Sequence, residues 1–398
     1  MTFERNARTL ERVPEPMTPR FFALFTACAA LACSSASGKS NAGGSPCDDV
    51  VCVDALPMTR TSTTSNATRT TFTEYGCAAA QGQDFGGAEV VHRITLSEDG
   101  FVSAAKTAGP EGSFLLLLGA DDAASCIDAH PTNVGAWLPA GDYFLVVDEP
   151  AGHEGEFSVA AALSTPATFT SFGVDPALAT DALAVYRNAW AWGASRRPEF
   201  VVVDFRKHSS ELREWVVDLS RSELIWNLRV AHGRKSTDGV DLAHAITFSN
   251  VSGSNQSSLG LYRSAGTYVG TFGPSFRLEG LEPGYNDNVC SRDIVMHPWA
   301  PVGDAYVQKC GWARPSLGCP AIDDSLSLPV RDRLARPDGQ PLDAGVLMLF
   351  WYPGTDWQAG STYLHGAAPT PELTQQMAVA CDSSQDGTPQ AIGEYACD

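Results

Sequence analysis

The sequence predicts a mainly β protein, in which an N-terminal β-sandwich precedes a second β-rich domain with a few short helices. Short segments of alternating apolar and polar residues, separated by turn residues, fill residues 47–165, which is typical of a β-sandwich. A second series of such segments, with frequent Gly and Asn turns, begins near residue 199. The chain has 398 residues, 44% of them hydrophobic, and is therefore long enough to fill two such cores.

The predicted strands of the sandwich are AEVVHRITL, GFVSAAKT, GSFLLLLG, GDYFLVVDE and GEFSVAAAL. No nucleophile with a neighbouring base stands out among them. The pattern, which ends in LPAGDYFLVVDEPAGHEGEFSVAAAL, resembles the prepeptidase-type C-terminal sandwich domains of secreted bacterial enzymes. That resemblance implies a binding or spacing role. Asp121 and Asp122 are candidate calcium ligands, but a solvated acidic loop is the favoured interpretation.

A Thr/Ser/Pro-rich stretch at residues 164–172 marks a domain boundary, and the second domain is expected over residues 175–355. Asp175 and Pro176 predict the N-cap and first residue of a helix that Gly193 ends. Its apolar face consists of Leu178, Ala182, Val185, Ala189 and Trp192. A short helix is expected in SLSLPVRDRL, with Pro329 in its first turn, and a buried closing strand at residues 346–352.

The N-terminus predicts export. An apolar run of about a dozen residues follows Arg20, which is too short to span a bilayer and fits a signal peptide over residues 1–33, with Met17 as a possible start. The run ends at Cys33, before a Ser/Gly-rich linker at residues 34–46, as in a bacterial lipoprotein whose cysteine is lipidated. Cys28 is a competing site, and an ordinary secretory signal is the alternative. All of these interpretations place the protein outside the cytoplasm, in the cell envelope.

Charge and composition exclude some functions. The formal net charge of -19 argues against a nucleic-acid partner, because phosphate binding requires a basic surface. No His/Cys/Asp cluster has the spacing of metal ligands, so neither a metal nor an organic cofactor is implied.

The cysteines fit an oxidising compartment, where disulfides persist. Without Cys28 and Cys33, nine of the eleven remain, so that one stays unpaired. Pairing of neighbours, which sequence alone cannot prove, joins Cys47 to Cys52, Cys77 to Cys126, Cys290 to Cys310 and Cys381 to Cys397. The unpaired cysteine is Cys319, and residues 356–398 are expected to form a polar tail held by the last of these disulfides.

Cys319 lies in RPSLGCPAIDD and is a candidate nucleophile. Gly318 permits close approach of a substrate, and the amides of Gly318 and Cys319 could form an oxyanion hole. His297, 22 positions earlier in RDIVMHPW, is placed to meet the sulfur from an adjacent strand and to act as base and acid. His232 and His244 compete for that role. A cysteine in an oxidising compartment is more often a disulfide partner than a nucleophile, and a structural disulfide is therefore the alternative role for Cys319.

The strings VAHGRKS, SNQSSLGLYR, RDIVMHP and SLGCPA resemble the murein L,D-transpeptidase catalytic-domain family, a divergent YkuD-like branch. The resemblance covers about 175 residues and implies a YkuD-like fold for the second domain. It implies that Cys319 attacks the peptidoglycan stem tetrapeptide between its third residue and D-alanine, with His297 as base and acid. The acyl group then passes to an amine acceptor. Ser316 and Gly318 complete the matched signature.

The sequence departs from better-known members, which read Ser-His-Gly-Cys with an asparagine two places after the cysteine. Here Leu317 and Ala321 occupy those positions, so a second imidazole is missing. An L,D-carboxypeptidase, in which water replaces the amine, therefore remains an alternative, as does a catalytically silent cell-wall binding lipoprotein. Candidate groups for the carboxylates of the stem peptide are Tyr262, Arg263, Asn286, Asn288, Arg292 and Arg314.

Overall fold

The first nine strands of the protein pair into two sheets that face each other. A computed structural model describes residues 50–366 and 368–381, which belong to one unit of the chain, Pro46–Asp398. The predicted signal peptide, Cys33, the linker, Cys47 and Cys397 lie outside the described residues. The strands are β1 Val51–Val53, β2 Met58–Thr63, β3 Val90–Leu96, β4 Gly100–Ala108, β5 Phe114–Leu118, β6 Cys126–His130, β7 Asn133–Leu138, β8 Gly141–Asp148 and β9 Glu156–Ser164.

The two sheets form the predicted sandwich. One has the strand order β1-β3-β8-β5-β6 and the other β2-β9-β4-β7. Alternate residues of each strand meet between the sheets, where Leu117, Leu145 and Phe157 are buried. Strand β5 is buried on both faces because the segment around Phe72, Tyr75 and Phe85 covers the outside of its sheet. This second cover explains why FLLLL is continuously apolar rather than alternating.

The acidic loop of the sandwich has partners inside the protein. Asp121 pairs with Arg69, and Asp122 accepts a hydrogen bond from the amide of Ala124. Both carboxylates are therefore used structurally. The described part of the chain contains no group of three or more His, Cys, Asp or Glu side chains that could hold a metal ion.

The remaining strands form one eight-stranded sheet, in the order β12-β11-β10-β17-β13-β14-β15-β16. The expected strand at residues 346–352 is buried, but it lies in the middle of this sheet. It pairs parallel with β10 and antiparallel with β13, which explains its apolar character on both faces. These strands are β10 Glu199–Asp204, β11 Glu214–Asp218, β12 Glu223–Leu228, β13 Gly260–Gly270, β14 Gly273–Gly280, β15 Val295–Pro298, β16 Ala321–Ile322 and β17 Leu347–Trp351.

Seven helices accompany the sheets in the described residues. The Asp175 side chain caps α2, Pro176 is its first residue and Gly193 follows it with φ +75°, as the sequence predicts. Trp192 lies just beyond the helix. Pro329 lies in the first turn of α4, also as predicted. The helices are α1 Pro166–Ser171, α2 Pro176–Ala191, α3 Asp304–Cys310, α4 Ser327–Leu334, α5 Asp356–Gly360, α6 Thr362–His365 and α7 Pro371–Met377. None of the described helices is long and apolar enough to cross a membrane.

The sandwich packs directly on α2. Phe101 of β4 makes edge-to-face contacts with Tyr186 and Trp190, at ring-centroid distances of 5.2 and 5.8 Å. Asp128 of β6 forms an ion pair of 2.8 Å with Arg196 and accepts a hydrogen bond from the Trp190 indole. Aromatic and charged contacts thus join the first nine strands to the second part of the chain.

The C-terminal segment is fastened differently from the prediction. Cys77 is joined to Cys126 as expected, but Cys290 is joined to Cys381, so the predicted Cys290–Cys310 and Cys381–Cys397 bridges are wrong. Cys52 and Cys310 are also disulfide-bonded. Neighbour pairing failed because α5, α6 and α7 pack back against the sheet, with Trp357, Tyr363 and Leu373 buried. Packing, rather than sequence distance, brings Cys381 to Cys290.

Candidate active site

The pairing of β15 with β16 places His297 beside the cysteine turn. The two strands are parallel, and His297 lies opposite Ala321, two residues after Cys319. The His297 amide donates a hydrogen bond of 3.4 Å to the carbonyl of Pro320. The short parallel pair therefore brings the predicted base and nucleophile to one end of the sheet.

Residues 316–319 form a tight turn that Ser316 organises. The Ser316 hydroxyl accepts a hydrogen bond from the Gly318 amide at 3.0 Å and donates one to the Cys319 carbonyl at 2.6 Å. Gly318 has φ +125°, and a Cβ there would lie 2.8 Å from the Gln256 carbonyl oxygen. Both the backbone angle and the lack of space thus require glycine.

The turn changes the predicted oxyanion hole. The Gly318 amide is bonded to Ser316 and is not available to a substrate. Within the part of the chain that the structure describes, the Cys319 amide makes no hydrogen bond. The amide of the nucleophile itself is therefore the backbone donor that remains for an oxyanion.

Cys319 is the free cysteine among the described residues, and it is half-buried. Its thiol donates a hydrogen bond of 3.5 Å to the carbonyl of Asp293, a residue with φ +54°. Burial raises the pKa of Cys319 to about 11, while the Val295 amide and the Arg292 guanidinium act weakly in the opposite direction. The thiol is therefore protonated at neutral pH.

His297 is 3% exposed, and its Nδ1 lies 3.0 Å from the Pro298 carbonyl oxygen. A carbonyl accepts hydrogen bonds, so Nδ1 carries the proton of the neutral ring and Nε2 is the basic nitrogen. Burial lowers the pKa of His297 to about 4, and the Pro298 carbonyl opposes this shift. The imidazole is therefore neutral at neutral pH.

The two pKa values define the resting state of the pair. Moving a proton from a thiol of pKa about 11 to an imidazole of pKa about 4 costs about 10 kcal/mol. Even for an ion pair in direct contact, at a separation of about 4 Å, the attraction would recover only about 4 kcal/mol at the effective dielectric constant of a protein. The site thus rests as neutral thiol and neutral imidazole, and the proton moves when the sulfur attacks.

Arg292 forms the wall on the other side of the turn. Its Nη1 donates hydrogen bonds to the Ser249 carbonyl and the Ser258 hydroxyl, at 2.8 and 2.6 Å. Its Nη2 donates to the Gln256 carbonyl at 2.7 Å and lies 3.5 Å from the position of a Cβ on Gly318. The guanidinium therefore holds loop 249–258 against the cysteine turn and supplies positive charge near the sulfur.

Aromatic side chains line the opposite side. The Phe272 ring stacks on the imidazole of His297 with a centroid distance of 4.3 Å and an interplanar angle of 20°. Trp299 lies 6.2 Å from the same imidazole and carries the Arg314 guanidinium 5.6 Å above its own ring. Burial raises the pKa of the Tyr268 phenol to about 12, with the nearby Cys319 sulfur contributing. Tyr268 and Arg292 are thus near the half-buried thiol, while Phe272 and Trp299 lie against the imidazole.

Comparison with known proteins assigns this part of the chain. A family model described as the L,D-transpeptidase catalytic domain matches over residues 171–338. This part of the chain is therefore similar to an L,D-transpeptidase catalytic domain. The match includes His297, Cys319 and every strand of the eight-stranded sheet except β17. A comparison with curated proteins finds no match.

Two solved structures are similar to less than a third of the chain. One is PliG of Aeromonas hydrophila, a periplasmic inhibitor of g-type lysozyme, with 15% identity and a TM-score of 0.21 over 29% of this chain and 96% of its own. The other is the pre-peptidase C-terminal domain of collagenase from Bacillus anthracis, with 10% identity and a TM-score of 0.20 over 28% of this chain and 93% of its own.

Three of the predicted substrate-binding residues have structural roles in the L,D-transpeptidase domain. Tyr262 is fully buried and donates its hydroxyl proton to the Ser258 carbonyl. Arg263 is 1% exposed and pairs with Glu279 at 2.7 Å. Asn286 is fully buried and donates to the Leu261 carbonyl. Their polar groups are satisfied within the core, so they are not placed to bind a peptide.

The other three predicted residues lie nearer the surface. Asn288 is exposed and donates to the Asn250 carbonyl, which links two loops of the L,D-transpeptidase domain. Arg292 and Arg314 are half-buried and approach the cysteine and His297 as described above. Of the six candidates, these two arginines are the ones that the fold brings close to the site.

Of the competing histidines, His232 lies next to the cysteine turn, since its carbonyl accepts a hydrogen bond of 2.7 Å from the Ser316 amide, but its imidazole contacts Arg213. His232 is fully buried, and its Nδ1 lies 2.8 Å from Nη2 of Arg213. His244 is half-buried, and its Nδ1 lies 2.6 Å from the Asp241 carboxylate. Sequence reasoning did not identify Phe272, Tyr268 or Asp293, because a hairpin tip and a residue before a strand carry no motif of their own.

Proposed function

We propose that the protein is a peptidoglycan L,D-transpeptidase that forms a cysteinyl acyl-enzyme. The observation that carries this proposal is the pairing of β15 with β16, which places His297 beside an unpaired Cys319 within residues that match an L,D-transpeptidase catalytic domain. A thiol reacts as a nucleophile only when a base removes its proton, and His297 is the buried imidazole on the strand that pairs with β16.

In the first half of the reaction, the sulfur attacks the carbonyl carbon between the third residue of the stem peptide and D-alanine. His297 takes the thiol proton as the C–S bond forms. The amide of Cys319 donates a hydrogen bond to the developing oxyanion. His297 then gives the proton to the leaving nitrogen, and D-alanine departs with an intact amine. A thioester on Cys319 remains.

In the second half, an amine acceptor attacks the thioester carbonyl. His297 accepts a proton from that amine, and the departing sulfur recovers a proton as the new amide bond forms. The product is a cross-linked peptide, and the thiol is regenerated. Because Leu317 stands where better-known members have a second imidazole, His297 alone serves both half-reactions.

Arg292 and Arg314 are the side chains that we assign to the carboxylates of the stem peptide. Both are half-buried guanidinium groups on the walls of the site, where a carboxylate would be bound with charge assistance. Arg292 also donates four hydrogen bonds to loop 249–258, which fix its guanidinium beside the cysteine turn.

The same proposal places the protein in the cell envelope, exported by residues 1–33 and anchored through a lipid on Cys33. Disulfides in the described residues fit an oxidising compartment. The sandwich would then hold the L,D-transpeptidase domain away from the membrane, as a binding or spacer domain without a catalytic role.

Incubation of the protein with purified disaccharide tetrapeptides, read by mass spectrometry, tests this function. Cross-linked dimers, absent with Cys319→Ala, support the transpeptidase. Tripeptides with free D-alanine and no dimers would replace it by the L,D-carboxypeptidase, in which water takes the acceptor's place. Absence of both products from a folded protein, together with no carbapenem adduct on Cys319, would favour a silent cell-wall binding protein.

A further inference from the structure

The hairpin that joins β13 to β14 lies over the catalytic imidazole. Strand β14 pairs with β15 through Phe276 opposite Met296 and Arg277 opposite Val295. Continued by one step, this register brings Ser275 opposite His297. A Cβ on Gly273 would lie 3.4 Å from the Pro298 ring. The hairpin tip, residues 270–273, is therefore held close above the end of β15.

Phe272 is the side chain that this tip places on His297. The two rings are nearly parallel, at a centroid distance of 4.3 Å, while Phe272 is 38% exposed and His297 only 3% exposed. The phenyl ring therefore separates the imidazole from solvent on that face. An exposed phenylalanine at a hairpin tip has no core to stabilise, so its position calls for another explanation.

We propose that Phe272 is a positioning residue, whose ring fixes the plane of the His297 imidazole and keeps water away from it. This inference rests on the proposed function in taking His297 as the base. The Pro298 carbonyl binds Nδ1 and sets the rotation of the ring, whereas stacking sets its tilt. Together the two contacts direct the Nε2 lone pair, and correct geometry is a large part of what a general base contributes.

Exclusion of water also keeps the base neutral. The shift in the pKa of His297 has burial as its largest cause, and the Pro298 carbonyl is the other cause. No charged side chain is among these causes. The titratable or charged side chains on the hairpin strands are Arg263, Tyr268, Arg277 and Glu279, and those beside β16 are Cys319 and Asp323. Arg314 lies over the neighbouring Trp299 ring. Removal of the phenyl cover should therefore raise the pKa of His297 by letting water solvate the imidazolium.

The chain offers a matched control on the same hairpin. Val269 is 79% exposed and stacks on nothing aromatic, so Val269→Ala removes apolar surface from the hairpin without uncovering His297. Phe272→Tyr keeps an aromatic ring at the tip, whereas Phe272→Ala removes it. A role limited to hairpin stability would make Phe272→Ala and Val269→Ala behave alike.

The test is titration of the His297 ring by NMR in the whole chain, with the resonance identified by its loss in His297→Ala. We expect a midpoint of about 4 in the unchanged protein. In Phe272→Ala we expect a rise of about one pH unit or more, while Phe272→Tyr and Val269→Ala stay within about 0.3 unit of the original. An unchanged midpoint in folded Phe272→Ala would overturn the proposal.

The cross-linking assay separates this proposal from the proposed function. Phe272→Ala should lower kcat/KM at pH 7 about three- to tenfold, the factor that an aromatic stacking contact is worth, and Phe272→Tyr should restore it. A titration shift without any product from the unchanged protein would refute the function and leave Phe272 as the cover of His297. Normal cross-linking by the unchanged protein, without a titration shift in Phe272→Ala, would support the proposed function and refute the role of Phe272.

Discussion

The neutral resting state of the thiol predicts how Cys319 reacts with an alkylating reagent as pH is varied. Only the thiolate reacts, and burial raises the pKa of Cys319 from its ordinary value of 9.0 to about 11. The thiolate fraction at pH 7 is therefore about 100-fold smaller than for an ordinary cysteine. The rate should rise about tenfold for each pH unit, without a plateau, until the pH approaches 11.

The assay is the rate of iodoacetamide addition between pH 5 and 10, followed by intact mass. Cys28 and Cys33 also lie in the sequence, so Cys319→Ser provides the background to subtract. A rate that is already level between pH 5 and 8 would refute the reasoning, because it is the signature of a thiolate held by an imidazolium.

Three further predictions concern stability and local geometry. Gly318→Ala should abolish cross-linking, because φ is +125° and the added Cβ would lie 2.8 Å from a carbonyl oxygen. The control is Gly339→Ala, where φ is +75° and no atom lies within 4 Å of the added Cβ. Equal cross-linking activities of the two variants would contradict the account. Replacing Cys290 and Cys381 by Ser should lower the free energy of unfolding by about 2–4 kcal/mol in urea titrations, and an unchanged midpoint would show that the tail needs no disulfide. His92 and His297 both have a pKa lowered by burial to about 4, so the unfolded chain binds their protons first. The free energy of unfolding should therefore be unaffected by these histidines above pH 6.5, fall by about 3 kcal/mol per histidine between pH 6.5 and 4, and level off below pH 4. His92→Phe should reduce that loss, and an equal loss in this variant would argue against it.

Local patterns determined much of the fold in advance. Alternation in the sandwich strands, the Asp175 cap with Pro176, and Pro329 in the first turn of α4 each depend on neighbouring residues, so the sequence predicts them directly. The position of β17 between β10 and β13 is different. A continuous apolar run indicates burial on both faces but carries no information about which strands lie beside it.

The candidate site, too, combines features that local sequence predicts with features that only the tertiary fold determines. Cys319 and His297 were recognisable because the chemistry requires a free thiol and an imidazole, and each lies in a motif. The burial of Tyr262, Arg263 and Asn286 could not be predicted, because a polar side chain in a motif has the same sequence pattern whether it faces a ligand or bonds within the core. Phe272 could not be found, since its role arises from the hairpin folding over β15. Cys290 was paired wrongly because its partner is 91 residues away.

Intact-mass analysis of the protein mixed with stem tetrapeptide, without an amine acceptor, tests the central claim most directly. The account predicts a covalent adduct of the tetrapeptide less D-alanine, located on Cys319 and removed by hydroxylamine as a thioester is. An adduct that persists in Cys319→Ala, or cross-linked product formed by that variant, would contradict it.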